Sequence, residues 1–238
     1  MTEPHAVVEH HHRDVQGGAA RAAVFGVSDG LVSNVSLILG VAGASPAPGI
    51  VRLAGLAGLV AGAFSMASGE FVSMKAQTEL LQRELALEER EIERHPEAER
   101  RELAAIYRQR GVAPEMADDL ASAMHRDPQT ALETHAREEL GIDPNKLGSP
   151  QQAAISSFLA FCVGAMVPLL PWFFASGNGA VVASIILGAA SALVIGAALA
   201  RFTGRSTLRS ALRQLGIAAL AAGVTYAVGR AVGVKSAT

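Results

Sequence analysis

Acidic side chains recur at helical spacing in the middle of the 238-residue chain, where they could bind a metal ion. Glu84, Glu88 and Glu91 share one helix face, because they are spaced i, i+4, i+7. Later acids and a histidine repeat the pattern: Glu99 and Glu102, then His135, Glu138 and Glu139 in ETHAREELG. Carboxylates with an imidazole suit Fe²⁺ or Mn²⁺, and also Zn²⁺. Glu- and Arg-rich helices are also typical of solvated surfaces, so this pattern alone does not decide.

A second candidate is a single aspartate, Asp29, inside the apolar segment 19–43. That segment is long enough to cross a bilayer, and a carboxylate at its centre costs about 2.5–3.5 kcal/mol on insertion scales. A carboxylate away from water favours its protonated form, whereas a nearby divalent cation favours the ionised form. Proton and metal would therefore compete for Asp29, which is the chemistry that an exchanger requires.

Composition predicts a membrane protein with a polar insert. Half of the residues are hydrophobic, and the net charge of −2 gives no support to nucleic-acid binding. Five apolar segments approach the roughly 20 residues that cross a bilayer: 19–43, 51–73, 152–175, 179–200 and 211–234. The expected divisions are a polar tail (1–18), two spans (19–73), a helical metal-binding domain (74–148) and three spans (149–238). The predicted fold class is an all-α membrane protein with five transmembrane helices.

Proline and glycine residues predict where helices end. The second span is expected to continue as a helix to His95, followed in the insert by helices over 97–110, 114–125 and 128–140. Pro168 and Pro171 predict a kink or an early end in the third span. Pairs of small residues at helix-packing spacing, such as Gly26 with Gly30, favour close contact between spans.

Basic residues predict the orientation in the membrane. The connection after the fourth span holds four arginines: Arg201, Arg205, Arg209 and Arg213. The loop SGNG before that span holds none, and short basic loops face the cytosol. The arginine-rich loop, the insert and the N-terminus are therefore predicted to be cytoplasmic. The Ala-, Arg- and Gly-rich composition, without a removable signal peptide, favours the cell membrane of a bacterium.

Four segments resemble the vacuolar iron transporter family of iron and manganese transporters. They are FGVSDGLVSN (25–34), GLVAGAFSMASGEFVS (58–73), the acidic insert and SFLAFCVGAMVPLLPWFF (157–174). The likeness extends over about residues 20–235. It implies a homodimer of five-span subunits that moves Fe²⁺, and often Mn²⁺, out of the cytosol with proton coupling, and a cytoplasmic metal-binding insert.

The resemblance also implies roles for single residues. Asp29 and Met66 match the pore aspartate and methionine of the family, and a thioether helps to select Fe²⁺ against Mg²⁺. The metal-binding glutamates of the insert match Glu88, Glu91, Glu99, Glu102 and Glu139. The chain departs from plant members in two places: Gly58 stands where they have a glutamate, and His135 and Ala136 stand where they have paired methionines. Glu70, nearer the cytosolic end of span two, is a further candidate for the pore.

Two alternatives use the same acids, namely a membrane-anchored di-iron ferroxidase and a metal sensor. Di-iron bundles usually carry Glu-x-x-His on two helices, whereas this chain has a single reversed His-x-x-Glu. Neither alternative needs Asp29, so a transporter that is not an enzyme is preferred. No resident cofactor is expected. The predicted partners are membrane lipid, protons, divalent metal ions and a second copy of the chain. The histidines His10–His12 are expected to belong to a polar N-terminal tail.

Overall fold

The computed structural model describes residues 18–235. Within this range it contains eight α-helices: α1 Ala19–Ala44, α2 Pro48–Arg94, α3 Pro96–Gln109, α4 Pro114–Met124, α5 Pro128–Glu138, α6 Pro150–Leu169, α7 Gly177–Thr203 and α8 Thr207–Lys235. The described part of the chain contains no strand. The predicted all-α class is therefore confirmed.

Five of these helices are long and apolar enough to cross a membrane. They are α1, the apolar part of α2, α6 with the turn that follows it, α7 and α8. The predicted second span is only the first part of α2, which is 47 residues long. The helix continues because the next proline after Pro48 is Pro96, and the glycines between them do not end it. The expectation of five spans is confirmed.

The third span ends as its prolines predict. Pro168 lies inside α6, the α-helix stops at Leu169, and a 3₁₀ turn follows over Leu170–Phe173. The Ser184 hydroxyl of α7 donates a 2.7 Å hydrogen bond to the Pro168 carbonyl, and Trp172 Nε1 donates to the same hydroxyl at 3.0 Å. These two bonds join the end of α6 to α7 and give the buried indole N–H of Trp172 an acceptor.

Helix α1 lies at the centre of the membrane unit, which comprises Ala19–Leu80 and Ser149–Thr238. It packs against α6, α7 and α8. At Gly26 a Cβ atom would lie 2.7 Å from the Ser157 carbonyl oxygen of α6, so only glycine permits this approach of the two backbones. The predicted packing role of small residues is observed at this contact.

The second unit, Leu81–Gly148, is built from the end of α2 and from α3, α4 and α5. Its core contains Leu103, Ala104 and Ala121. Asp127 caps α5 by accepting a 2.8 Å hydrogen bond from the Thr130 backbone N–H. The observed helices end within two residues of the predicted ends.

Candidate metal centre and membrane pocket

Three helices of the second unit place carboxylates around one buried imidazole. His135 on α5 is fully buried, with 0% exposure. Its Nδ1 atom lies 2.9 Å from Oε1 of Glu88 on α2, 3.4 Å from Oε2 of Glu139 at the end of α5, and 3.9 Å from Oε2 of Glu99 on α3. Glu88 and Glu99 are themselves buried. We call these four residues the insert cluster.

The insert cluster has the donor set of a metal site. One ligand atom each from Glu88, His135 and Glu139 lies within 4.8 Å of the other two. Oε1 of Glu88 is buried and accepts no hydrogen bond, although His135 Nδ1 lies 2.9 Å from it. A buried carboxylate oxygen without an aligned donor is costly unless a cation compensates it. Oxygen and imidazole donors of this kind suit Fe²⁺, Mn²⁺ or Zn²⁺.

Crowded acidic groups shift the protonation of the cluster. Burial raises the pKa of Glu99, and the carboxylates of Glu88, Glu102 and Glu91 raise it further. Burial and the charge of Glu88 likewise raise the pKa of Glu139. Excess negative charge at one place is relieved by a proton or by a cation. Glu91 and Glu102, which are exposed, thus act on the cluster through their charge.

The pKa of His135 is raised for a related reason. Burial alone would lower this pKa, but the adjacent carboxylates of Glu88 and Glu139 more than offset it, so the pKa lies above its ordinary value. The imidazolium form is thus favoured by the same negative charge that would favour a metal ion. A metal ion bound at the insert cluster would therefore compete with protons for the same groups.

A second histidine, His125, completes the surroundings of the cluster and was missed by sequence reasoning. Its Nε2 atom lies 3.0 Å from Nε2 of His135, and the two rings meet edge to face with centroids 5.2 Å apart. Burial lowers the pKa of His125, and the neighbouring His135 and Arg100 lower it further. No spacing rule links His125 to His135, because the two side chains lie on different helices.

Glu138 was predicted beside His135, but the structure places it in an ion pair with Arg110. Arg110 Nη1 contacts Oε2 of Glu138, and Nη2 donates a 2.9 Å hydrogen bond to the Glu138 carbonyl. Consecutive residues of a helix point in different directions, so Glu138 and Glu139 cannot face the same centre. The insert cluster as described therefore contains Glu139 and not Glu138.

In the membrane unit, Asp29 and Met66 line one open pocket of about 250 Å³. This membrane pocket lies between α1 and α2 and is also lined by Ser33, Leu37, Gly58, Gly62, Ser65 and Phe161. Among residues 18–233, no side chain forms an ion pair or a hydrogen bond with the Asp29 carboxylate. The carboxylate is therefore open to the pocket and is not held by a neighbouring helix.

Glu70 lies outside the residues that line the membrane pocket. Its side chain is buried, with 9% exposure for the residue, and Arg21 Nη2 of α1 donates a 2.8 Å hydrogen bond to its Oε2 atom. The partner of Glu70 in the described chain is thus an arginine. Cys162 is partly buried and packs beside a cluster that includes Phe161. The tail histidines His10–His12 lie outside the described residues.

Comparison with known proteins identifies the family. The model of the VIT family matches residues 20–230. The chain belongs to the VIT family. One relative, "Vacuolar iron transporter 1" of Oryza sativa subsp. japonica, is 34% identical over 227 residues, which cover 94% of this chain and 90% of the relative. "Vacuolar iron transporter 1" of Arabidopsis thaliana is 32% identical over 233 residues, with 97% and 93% covered.

A third relative gives a similar match. "Vacuolar iron transporter" of Acanthamoeba castellanii is 37% identical over 227 residues, covering 92% of this chain and 81% of the relative. The resemblance noted in the sequence is confirmed. Members of the VIT family are transporters and not enzymes, so the ferroxidase alternative is excluded. With its five candidate spans, the chain is a multi-pass membrane protein.

Proposed function

We propose that the protein exports Fe²⁺, and also Mn²⁺, from the cytosol in exchange for protons. The observation that carries the proposal is the membrane pocket, where the Asp29 carboxylate and the Met66 thioether line the same space. The relatives are named vacuolar iron transporters, which supports iron as the substrate. Manganese, proton coupling and the direction of transport are inferences from the chemistry of this chain.

The membrane pocket suits an exchange of proton for metal. An ionised Asp29 is expensive in the middle of a span, and either a proton or a divalent cation removes that cost. Because the two compete for the same oxygens, occupation by one favours release of the other. Met66 adds a soft ligand that favours Fe²⁺ over Mg²⁺. Glu70 is proposed as an additional residue of the pathway, in which an arriving cation would replace Arg21.

The insert cluster is proposed to capture the metal. Glu88, His135 and Glu139 supply the direct ligands, and the buried Oε1 atom of Glu88, which accepts no hydrogen bond, supports this assignment. Tethering a binding unit to a transporter raises the local metal concentration at the membrane. Because the His135 imidazole replaces a soft sulfur ligand, Zn²⁺ is a further metal ion that the insert could bind.

Orientation and assembly follow from charge. The four arginines around the connection between α7 and α8 are exposed, which supports a cytosolic position for that end of the bundle. The second unit is then cytoplasmic as well. Asp29 is exposed in a single chain, and covering its pocket with a second copy would remove a carboxylate from contact with lipid. We therefore propose a homodimer, and location in the cell membrane stays a prediction.

Purified protein in liposomes tests the proposal. We expect Mn²⁺ uptake into vesicles with an acidic interior to exceed uptake without a pH gradient, because outward proton flow drives inward metal flow. Fe²⁺ kept reduced with ascorbate should behave in the same way. Protein-free vesicles with the same gradient are the control. Metal uptake that ignores the gradient would contradict proton coupling, and no uptake above the control would contradict transport.

Metal binding should weaken as the solution becomes acidic. Because the pKa of His135 is raised, this ring gains its second proton at a higher pH than an ordinary histidine does. The pKa of Glu139 is raised as well, so its carboxyl group keeps its proton to a higher pH than usual. A protonated ligand cannot bind metal, so affinity is high above these pKa values and is lost as the pH falls through them. Calorimetric titration with Mn²⁺ at about pH 7.5 and about pH 5.5 should show this loss. Equal affinities would contradict direct binding by His135.

A further inference from the structure

Two histidines of the second unit face each other through ring nitrogens. His125 Nε2 and His135 Nε2 are 3.0 Å apart, which is a hydrogen-bond distance. A single proton lies between two such nitrogens, so one ring donates and the other accepts. The opposite nitrogen of His135, Nδ1, faces the carboxylates of the insert cluster. In a neutral ring, the nitrogen that carries the proton at the Nε2 contact therefore decides whether Nδ1 of His135 has a free lone pair or an N–H group.

We propose that His125 is a positioning residue that makes His135 bind metal through Nδ1. The inference rests on the proposed metal site of the insert cluster. A neutral imidazole has one N–H group and one lone pair. A cation bound among the carboxylates would contact Nδ1 of His135, and Nδ1 could bind it only through a lone pair. The N–H of His135 is consequently at Nε2, where His125 Nε2 accepts the hydrogen bond.

The backbone of His125 is held at the end of α4. His125 directly follows the last residue of α4, and its backbone N–H donates a 3.1 Å hydrogen bond to the Ala121 carbonyl. The turn that follows is short, and Asp127 caps α5 immediately after it. The ring of His125 is thereby brought against α5, on which His135 lies.

His125 has no substitute within the described part of the chain. His135 is fully buried, and no other described group forms a hydrogen bond with its Nε2 atom. Without His125, the N–H of a metal-bound His135 would be buried and unpaired. A group that accepts the second N–H of a metal-binding histidine fixes both the orientation of the ring and the choice of nitrogen.

Two substitutions of His125 separate hydrogen bonding from packing. His125→Phe keeps an aromatic ring beside His135 but removes the acceptor. His125→Gln places an amide oxygen near the position of Nε2 and keeps an acceptor. Loss of such a partner typically weakens metal binding by about 10- to 100-fold. We expect that loss for His125→Phe, and an affinity near that of the parent protein for His125→Gln.

The affinity measurement uses the full chain in detergent. His10, His11 and His12 are replaced by alanine in every sample, so that the tail does not bind the probe metal. Calorimetric titration with Mn²⁺ gives the affinity, and thermal unfolding of each variant checks its fold. An unchanged affinity in His125→Phe would overturn the inference but leave the metal site intact. Equal weakening in the phenylalanine and glutamine variants would also overturn it.

A spectroscopic test needs no substitution at His125. Nitrogen-15 NMR of histidine-labelled protein distinguishes a metal-bound ring nitrogen from a protonated one, and diamagnetic Zn²⁺ is the probe. The signals of His135 are assigned by their loss in His135→Gln. We expect Zn²⁺ at Nδ1 and a proton at Nε2. The reverse arrangement would overturn the inference, whereas no Zn²⁺ or Mn²⁺ binding by the parent protein would overturn both the metal site and the inference.

Discussion

Replacing Asp29 by asparagine should reduce Mn²⁺ uptake into proteoliposomes to the level of protein-free vesicles. Asparagine has almost the same shape but cannot exchange a proton for a cation, so both halves of the proposed cycle are lost. Loss of an outer partner of a metal ligand already costs about 10- to 100-fold, and loss of a direct pore ligand should cost at least as much. The measurement is the initial rate of uptake with an acidic vesicle interior.

Two controls make the Asp29 result specific. Ser36→Ala changes another buried polar residue of α1 that does not line the membrane pocket, and it should keep the parent rate. The insert cluster of the Asp29 variant should still bind Mn²⁺ with the parent affinity, because its residues are unchanged. Normal uptake by Asp29→Asn would rule out the assignment of Asp29 to the pore.

Replacing Glu88 and Glu139 together by glutamine should abolish measurable Mn²⁺ binding by the insert. The double change turns two of the three clustered ligand groups into neutral amides, which are weaker ligands, and removes the negative charge that attracts the ion. Calorimetric titration of the full chain, with the tail histidines replaced and with Asp29→Asn in every sample to remove the proposed pore ligand, measures this effect.

The matched control for the insert is Glu89→Gln. Glu89 is the exposed neighbour of Glu88 on α2, so the substitution removes one charge without touching the insert cluster. We expect only a small change in its affinity for Mn²⁺, since an exposed charge acts through solvent. Parent-like binding by the Glu88 and Glu139 double variant would show that these two acids do not bind the metal. If binding is lost as expected, the transport rate of that variant shows whether capture by the insert limits export.

Much of the fold was predictable because each signal is local. A span needs only a long apolar segment, and each of the five was visible in the sequence. The break in α6 follows from Pro168 and Pro171, and the short helices of the second unit begin at Pro96, Pro114 and Pro128. Proline acts through its own ring and its missing N–H, so its effect does not depend on distant contacts. Family membership was likewise visible in the sequence motifs.

Membership of the two sites was predictable only in part. Sequence spacing placed Glu138 and Glu139 together near His135, but the structure pairs Glu138 with Arg110 and turns Glu139 towards the imidazole. His125 was missed altogether, because the contact between two rings on α4 and α5 depends on how those helices pack. The role of each acid in metal binding stays a prediction.

The sequence by itself determined the number of spans, the helical insert, the family and the unusual carboxylate of α1. These features depend on composition, periodicity and motif, which a linear chain carries in full. Only the tertiary structure decided that Asp29 shares a pocket with Met66, that Arg21 binds Glu70 and that His125 faces His135. The physical reason is that such contacts join residues from different helices, and the packing of the helices fixes both their distance and the direction of their side chains.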